Sequence, residues 1–521
     1  MLKSTDKGRI TVFALQECPH CKRSKKYLET RHVPYVEISL TTHPDKRNDM
    51  LSLADRLTVP QFFFNEQHIG GADDLIAFVD DIEKKGTPFQ NYYEKEILGR
   101  KFSTDERLQV PTTPPVQIEP PPPRPNEKSI VLPDGTTKMS VLEMTEKLRD
   151  ILTPNDLRFN LTIYKNAFTG IKAVKAFMDH FGIEDAQKAV EFGNSLMKEH
   201  KLLRHVADDH HKFLNEGMYY RLQCHAQPSV LNSFRIWNER IDPDAMSLLK
   251  RLKKLLGNIE SAVTNEDDGS VDYASAYKIK NYPIFEDAVC ELQGVDTGAM
   301  DRNTRLAFGI NLYNLMIKYA FMKVGIGSSS ASSRNTFFSN VQINVGGDIL
   351  SFNDLEHGVL RGNAKPFYSL SAQFSRNDKR ARLAIDNPDC RIHFALNCGA
   401  RSCPPVKNFT ADAIDEELRI VAQSFAEQDD QVQISDGKLH LTKILSWFRS
   451  DFAPSNKELP NKVVTFLRGK KKEKLQQMID DSKSIPIVFN EYDWGTNASN
   501  FVPYDNSILT VNSKSLSNIV K

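Results

Sequence analysis

Residues 9–21, RITVFALQECPHC, carry the pattern that decides the fold, a β-rich run followed at once by two cysteines at C-x-x-C spacing. A polar helical pattern follows over residues 22–31, so Cys18 and Cys21 fall at the start of a helix. There the free backbone N–H groups and the positive end of the helix dipole favour a thiolate over a thiol. Cys18 is then the exposed nucleophile, and Cys21 resolves the mixed disulfide that Cys18 forms. His20 adds positive charge or a hydrogen bond to this site.

The residues that follow alternate strand and helix patterns. Residues 35–40 and 61–65 are predicted strands and residues 73–83 a predicted helix, which is typical of an α/β sandwich. A lone C-x-x-C is also found in half of a zinc site, but no further ligands follow it at zinc-finger spacing. We therefore predict thiol chemistry without a metal.

Over about residues 9–85 the order of motifs resembles the glutaredoxin family: the C-x-x-C, then TVP at residues 58–60 before a strand, then two glycines before a helix. The resemblance implies a thioredoxin-like α/β fold, a cis proline beside the cysteine pair, and glutathione as cofactor. It further implies that Val59 pairs with the glutathione backbone and that residues 71–73 hold its γ-glutamyl end at a helix N-terminus. Carried over by position, the glutathione-binding residues are Val59, Pro60, Gly71, Ala72 and Asp73.

A change of composition ends this first segment, which we place at residues 1–104. Residues 105–135 are rich in proline, which excludes helix and central strand and predicts a semi-rigid linker. The next segment, residues 136–224, has three helical patterns and then two short strand patterns, which together predict a winged-helix α+β domain. Its first helix begins at a capping box formed by Ser140 and Glu143.

This second segment resembles the DEP family through FTG at residues 168–170, LLRHV at residues 202–206 and YYRL at residues 219–222. The resemblance implies a signalling module that contacts membranes or receptor tails through basic residues on the loop after the first helix. Here that loop, residues 153–166, carries few cations, so we expect weak membrane contact. The third helical pattern is acidic and would be repelled by phosphate, so we predict no binding of nucleic acid.

The remaining residues, 229–521, predict a mixed α/β domain of uncertain fold. They resemble the domain of unknown function 547 through INLYN at 310–314, LEHGVLR at 355–361, RIHFALNCG at 391–399 and RSCPP at 401–405. Three interpretations of these motifs remain open: a zinc site, a cysteine nucleophile activated by a histidine, or buried structure. The short spacing of the two cysteines also permits a disulfide under redox control. The candidate residues of this second site are His357, His393, Cys398 and Cys403.

Composition limits the function classes. The chain has 68 Lys and Arg against 67 Asp and Glu, and this balance gives no global reason to bind nucleic acid or an anionic membrane. Seven cysteines, an odd number, do not make a secreted disulfide framework, and the N-terminus lacks a secretory signal, so we expect a cytoplasmic protein. We predict a glutathione-linked thiol–disulfide oxidoreductase, with glutathione and disulfide-bearing or glutathionylated proteins as partners. The alternatives are a redox-sensing signalling adaptor, or a C-terminal cysteine-dependent hydrolase regulated by the glutaredoxin domain.

Overall fold

The structure is a computed structural model, and most of the predicted proline-rich linker, residues 112–128, lies outside its described residues. Within them, no helix combines the length and the apolar character needed to cross a membrane. The described residues are 7–15, 18–40, 42–43, 45–54, 56, 58–102, 105–111, 129–207, 211–237, 244–328, 330–481 and 484–506.

A four-stranded sheet in the order β2-β1-β3-β4 forms the first unit. Its elements in chain order are β1 (Ile10–Ala14), α1 (Pro19–Glu29), β2 (Tyr35–Ser39), α2 (Lys46–Ala54), β3 (Gln61–Phe64), β4 (Gln67–Gly70) and α3 (Ala72–Lys84). Strand β1 runs parallel to β2 and antiparallel to β3, and all five of its residues are buried. Because successive side chains point to opposite faces, a buried central strand needs cover on both faces of the sheet.

Helices supply that cover, and they confirm the thioredoxin-like fold. Val12 packs with residues of α1 and α3 on one face, and Phe13 packs with Met50 of α2 on the other. The predicted strands and helices are all present, with ends within three residues of those expected. Helix α2 and strand β4 were not predicted. A short helix, α4 (Phe89–Tyr92), and a π-helical turn over Tyr93–Leu98 follow α3.

Regular structure extends into both ends of the predicted linker. At its start, the 3₁₀ turn Glu106–Leu108 buries Leu108 in the same core as Met50. At its end, β5 (Ile130–Val131) pairs with β6 (Lys138–Met139), and Ile130 joins the core of the second unit. The domain boundaries at residues 104 and 135 therefore stay a prediction.

Three helices and a four-stranded sheet in the order β7-β8-β10-β9 form the second unit. Its elements are α5 (Val141–Leu152), β7 (Asn155–Phe159), β8 (Thr162–Thr169), α6 (Gly170–Phe181), α7 (Ala186–Lys198), β9 (Leu203–His205) and β10 (Tyr219–Leu222). The capping box of α5 is present, because the Ser140 N–H donates to Glu143 Oε2 at 2.8 Å. Residues 153–166, expected to be a loop, instead form most of the hairpin β7–β8. Asn160, with a φ of 53°, makes its tight turn.

One large apolar core organises the third unit, which is mixed α/β as expected. At its centre lies a helix of 22 residues, α10, that is buried on nearly all sides. Its helices are α8 (Ala245–Ala262), α9 (Tyr282–Ala288), α10 (Arg302–Lys323), α11 (Ala331–Asn340), α12 (Ile414–Ala426), α13 (Lys443–Trp447), α14 (Arg449–Phe452), α15 (Leu459–Val463) and α16 (Gly469–Asp481). Its short strands are β11 (Val271–Asp272), β12 (Gln342–Val345), β13 (Asp348–Ser351), β14 (Val432–Ser435), β15 (Lys438–Leu441), β16 (Ile487–Phe489) and β17 (Ala498–Asn500).

The first unit contacts the third through α1 and α2. Lys22 Nζ donates to Ser261 Oγ at 3.3 Å, and Lys26 Nζ donates to Glu266 Oε2 at 3.4 Å. Leu51 of α2 packs against the apolar core of the third unit. The end of α1 that carries the cysteine pair therefore faces the third unit.

Candidate thiol site at a domain boundary

Cys18 caps the N-terminus of α1, as the sequence predicted. The backbone N–H of Cys21 donates to Cys18 Sγ at 3.3 Å, and the Cys18 thiol lies 3.7 Å from the Val59 carbonyl oxygen. Cys18 is half-buried, whereas Cys21 is fully buried in the core of the first unit. The Val59–Pro60 peptide bond is cis and brings the Val59 backbone beside the thiol. Cys18 is thus the only one of the two that solvent reaches.

Hydrogen bonds and burial separate the acidities of the two thiols. The Cys21 thiol, which donates toward Cys18, lowers the pKa of Cys18, and the N–H groups of Cys21 and His20 add to this against the opposing effect of burial. Lys318, on α10 of the third unit, lowers the pKa of Cys18 further by its positive charge. Burial raises the pKa of Cys21 strongly. The arrangement therefore supplies one thiolate nucleophile and one thiol that stays protonated until it is needed.

The predicted positive charge on His20 is not supported, because burial and the nearby Arg23 lower the pKa of its ring. His20 acts on Cys18 through its backbone N–H instead. The basic residues of α1 are engaged in other pairs: Arg23 with Asp73 and Lys25 with Glu37. Sequence reasoning missed Lys318, since nothing in the sequence indicates that α10 approaches α1.

The residues expected to hold glutathione lie just before β3 and at the start of α3. Gly71 caps the N-terminus of α3, where its N–H donates to Asp74 Oδ2 at 2.8 Å. Ala72 and Asp73 form the first turn of α3, and the Arg23–Asp73 ion pair ties that turn to α1. Val59 presents its carbonyl oxygen to the Cys18 thiol. The expected contacts of these residues with glutathione stay a prediction.

A cleft of about 460 Å³ opens in front of Cys18 and is lined by both the first and the third unit. Its walls include Cys18 and Val59 on one side and Lys318, Gly399 and Lys407 on the other. Lys407 is 8% exposed and, among the described residues, its ammonium group has no hydrogen-bond or ion-pair partner. The walls of the cleft therefore come from two domains, and they carry more basic side chains than acidic ones.

Two of the second-site candidates, Cys398 and Cys403, form a pair of thiols in the third unit. Their sulfur atoms are 3.0 Å apart, and the Tyr492 hydroxyl lies 3.1 Å from Cys403 Sγ. Burial opposes a charge on Cys403, but the Cys398 thiol, the Tyr492 hydroxyl and the Cys398 backbone N–H outweigh it and lower the pKa of Cys403 to about 7. The Cys403 thiol, with burial, raises the pKa of Cys398.

The other two candidates, His357 and His393, belong to a separate network. Arg361 Nη1 donates to His357 Nδ1 at 2.9 Å, and Asp451 accepts from Arg361 at 2.5 Å and from His393 at 2.8 Å. Burial, with the Arg361 charge, lowers the pKa of His357 to about 3. In the described part of the chain neither histidine hydrogen-bonds to either thiol, and no group of three or more His, Cys, Asp or Glu is arranged to hold a metal. Within the described residues, neither Cys398 nor Cys403 therefore has His357 or His393 as a base.

Glu356, between these two networks, was quoted only as part of a motif and not as a candidate. The Tyr313 hydroxyl donates to Glu356 Oε2 at 3.3 Å, and burial raises the pKa of Glu356 to about 7. The second unit presents a different feature, which sequence reasoning also missed. The tip of the β7–β8 hairpin exposes apolar side chains: Phe159 is 61%, Leu161 91% and Ile163 52% exposed.

Comparison with known proteins confirms the three resemblances in their order. Sequence models match for "Glutaredoxin" over residues 10–69, "Domain found in Dishevelled, Egl-10, and Pleckstrin (DEP)" over residues 152–222, and "Protein of unknown function, DUF547" over residues 297–426. These matches support the assignment of thiol chemistry to the first unit and a signalling role to the second.

Curated glutaredoxins match a short part of this chain. Glutaredoxin 3 of Escherichia coli (strain K12) is 38% identical over 70 residues, 13% of this chain and 84% of the relative. Glutaredoxin 1 of Rickettsia bellii (strain RML369-C) is 37% identical over 81 residues, 15% of this chain and 79% of the relative. The solution structure of glutaredoxin from Brucella melitensis is 27% identical and covers 18% of this chain and 94% of its own, with a TM-score of 0.15.

Proposed function

Since the chain belongs, through its first unit, to the glutaredoxin family, we propose that it is a glutathione-linked thiol–disulfide oxidoreductase acting through Cys18 and Cys21. The observation that carries the proposal is the opposite acidity of the two thiols at the N-terminus of α1. A nucleophile must be ionised to attack, and a resolving thiol must stay protonated until the mixed disulfide has formed.

The proposed reaction proceeds in two exchanges. Cys18 Sγ attacks one sulfur of the substrate disulfide, so that a mixed disulfide forms and the other sulfur leaves as a thiolate. Cys21 then loses its proton and attacks Cys18 Sγ, which releases the reduced substrate and leaves a Cys18–Cys21 disulfide. Two molecules of glutathione then restore the dithiol by thiol–disulfide exchange and leave as glutathione disulfide, having supplied the two electrons. In this proposal Val59 orients the substrate backbone, and residues 71–73 hold the γ-glutamyl end of glutathione.

The proposal extends to partners and location. Its substrates are disulfide-bearing or glutathionylated proteins, and its setting is the cytoplasm, where glutathione keeps thiols reduced. The exposed apolar tip of the β7–β8 hairpin favours a targeting role for the second unit, because exposed apolar side chains clustered at a tip mark an interaction site. Leu161→Asp should weaken the binding of this unit to its target, a membrane surface or a receptor tail, and should leave reduction of small disulfides unchanged.

The test is reduction of a glutathione mixed disulfide and of a protein disulfide by the full chain. Cys18→Ser should abolish both activities, because a serine hydroxyl is far too basic to replace the thiolate. Cys21→Ser should keep the first and lose the second, since only protein disulfides need a resolving thiol. Full activity of Cys18→Ser in both assays would contradict the proposal. If the wild-type chain reduces neither substrate, the first unit only binds, and the adaptor alternative stands.

A further inference from the structure

The thiol pair of the third unit repeats the chemical asymmetry of the thiol pair in the first. Cys403, like Cys18, accepts hydrogen bonds that stabilise its thiolate, and Cys398, like Cys21, is the less acidic member. The two sulfur atoms are already in contact at 3.0 Å, and only four residues separate them in the chain. A pair with one stabilised thiolate and a second thiol in contact is the arrangement that forms and breaks a disulfide.

The loop that carries this second pair forms a wall of the cleft in front of Cys18. Asn397, Gly399 and Ala400 line the same cleft as Cys18 and Val59. Cys18 thus lies on one side of the cleft, and the chain neighbours of Cys398 lie on the other. This juxtaposition is independent of the acidities of the thiols.

Gly399 shapes the loop between the second thiol pair and the cleft. It adopts a φ of +87°, a conformation that a side chain would strain. A Cβ at Gly399 would lie 2.4 Å from the Phe321 ring, which lines the cleft as well. The sulfurs of Cys398 and Cys403 contact Tyr492 and do not line the cleft, so exchange with Cys18 requires this loop to move.

We propose that Cys398 and Cys403 form a second dithiol–disulfide couple and that this couple is an intramolecular substrate of Cys18 and Cys21. The inference rests on the proposed function, since it names a substrate of that same site. Oxidised glutathione converts the dithiol to the Cys398–Cys403 disulfide and leaves as two molecules of glutathione, so two electrons pass to glutathione.

Reduction then follows the balance of a thiol–disulfide exchange. Cys18 Sγ attacks Cys398 Sγ, the Cys398–Cys403 bond breaks, and Cys403 leaves as the thiolate. Attack falls on Cys398 because the more acidic thiol is the better leaving group. Cys21 then attacks Cys18 and releases Cys398. Two electrons and two protons move from the first pair to the second.

The experiment traps the central intermediate in the full chain. In the double variant Cys21→Ser and Cys403→Ser neither pair can resolve, so oxidised glutathione should drive a Cys18–Cys398 disulfide within one chain. Peptide mapping without reduction, after a quench with acid and alkylation, identifies it. The matched control is Cys21→Ser with Cys398→Ser, which should cross-link far less. The half-buried Cys224 and Cys390 serve as internal references.

A second measurement does not depend on these variants. After mild oxidation and a limiting pulse of glutathione, wild-type protein should recover reduced Cys398 and Cys403 at least about tenfold faster than Cys18→Ser, because tethering raises the effective concentration of the two pairs. The rate should be independent of protein concentration. Equal recovery without a cross-link, while Cys18 still reduces an external mixed disulfide, would overturn the inference and leave the proposed function intact. Loss of external reduction by the wild-type chain would instead overturn the proposed function.

Discussion

Replacing Lys407 by methionine should stabilise the third unit at neutral pH. Burial, with the charges of Arg56 and Arg47 across the domain boundary, lowers the pKa of Lys407 from 10.5 to about 7. In the unfolded chain this lysine binds a proton up to pH 10.5 or so, and folding must therefore release that proton or bury the charge. A shift of this size corresponds to a loss of folding free energy of at most about 4 kcal/mol at pH 7. Water in the cleft and movement of the domains make the loss smaller.

The sign of the pH dependence follows from the two pKa values. The penalty is fully present below about pH 7 and disappears as the pH rises toward 10.5, so the wild-type protein gains stability over that range. We expect Lys407→Met to raise the free energy of unfolding by about 1–4 kcal/mol at pH 7 and to make no difference near pH 10.5.

Tryptophan fluorescence during urea unfolding is the assay, because all three tryptophans lie in residues 229–521. Lys470, which is exposed on α16, gives the matched control, and Lys470→Met should change stability by less than about 0.5 kcal/mol. The reasoning would be refuted if Lys407→Met were no more stable than wild type at pH 7, or if its advantage persisted unchanged at pH 10.5.

The remaining predictions concern one site in each unit. Asp451→Asn should destabilise the third unit by about 3–5 kcal/mol in the same assay, because it leaves the buried Arg361 without its carboxylate. The control is Asp429→Asn at an 80% exposed position, which should cost less than about 1 kcal/mol. The rate of Cys18 alkylation by a neutral reagent should rise with pH around a midpoint below that of an ordinary cysteine, and Cys21→Ala should move this midpoint upward by removing the main donor. Co-sedimentation should show that the full chain binds anionic vesicles weakly at most, and salt-sensitive tight binding of DNA would contradict the sequence reasoning on the second unit.

The thiol site was predictable because its determinants are local. A strand, two cysteines and a helix start follow one another within residues 9–31, and the chemistry of a helix N-terminus needs no distant residue. The same holds for the capping box at Ser140 and Glu143, whose two partners are three residues apart.

Among the elements that escaped prediction, helix α2 and the hairpin β7–β8 owe their stability to packing. Helix α2 buries only Met50 and Ala54, so its own sequence carries little apolar periodicity, and it forms where the second face of the sheet needs cover. Most residues of the hairpin β7–β8 are polar or exposed, so its sequence lacks the alternation of apolar and polar residues that predicts a strand. Asn160 was the available signal, since asparagine tolerates the left-handed backbone of a tight turn.

Long-range contacts set the limit of sequence reasoning for the candidate sites. Lys318 approaches Cys18 from about 300 residues away, and Tyr492 approaches Cys403 from about 90 residues away. Arg401 lies between the two cysteines in the sequence, but its side chain lies beside Asp493, with 3.7 Å between Nη1 and Oδ2. Neighbours in sequence were thus a poor guide to the electrostatics of this pair.

The position of Lys318 couples the acidity of Cys18 to the contact between the first and third units. The Lys318 charge lowers the pKa of Cys18, but it is a minor cause and Lys318 is itself paired with Glu260. Burial of Cys18 raises the pKa of the same thiol and so acts in the opposite direction. The same contact places Cys18 in the cleft whose far wall carries Asn397 and Gly399, the chain neighbours of Cys398. Access to the third unit and the acidity of the nucleophile therefore both depend on one domain boundary, and both change if the units separate.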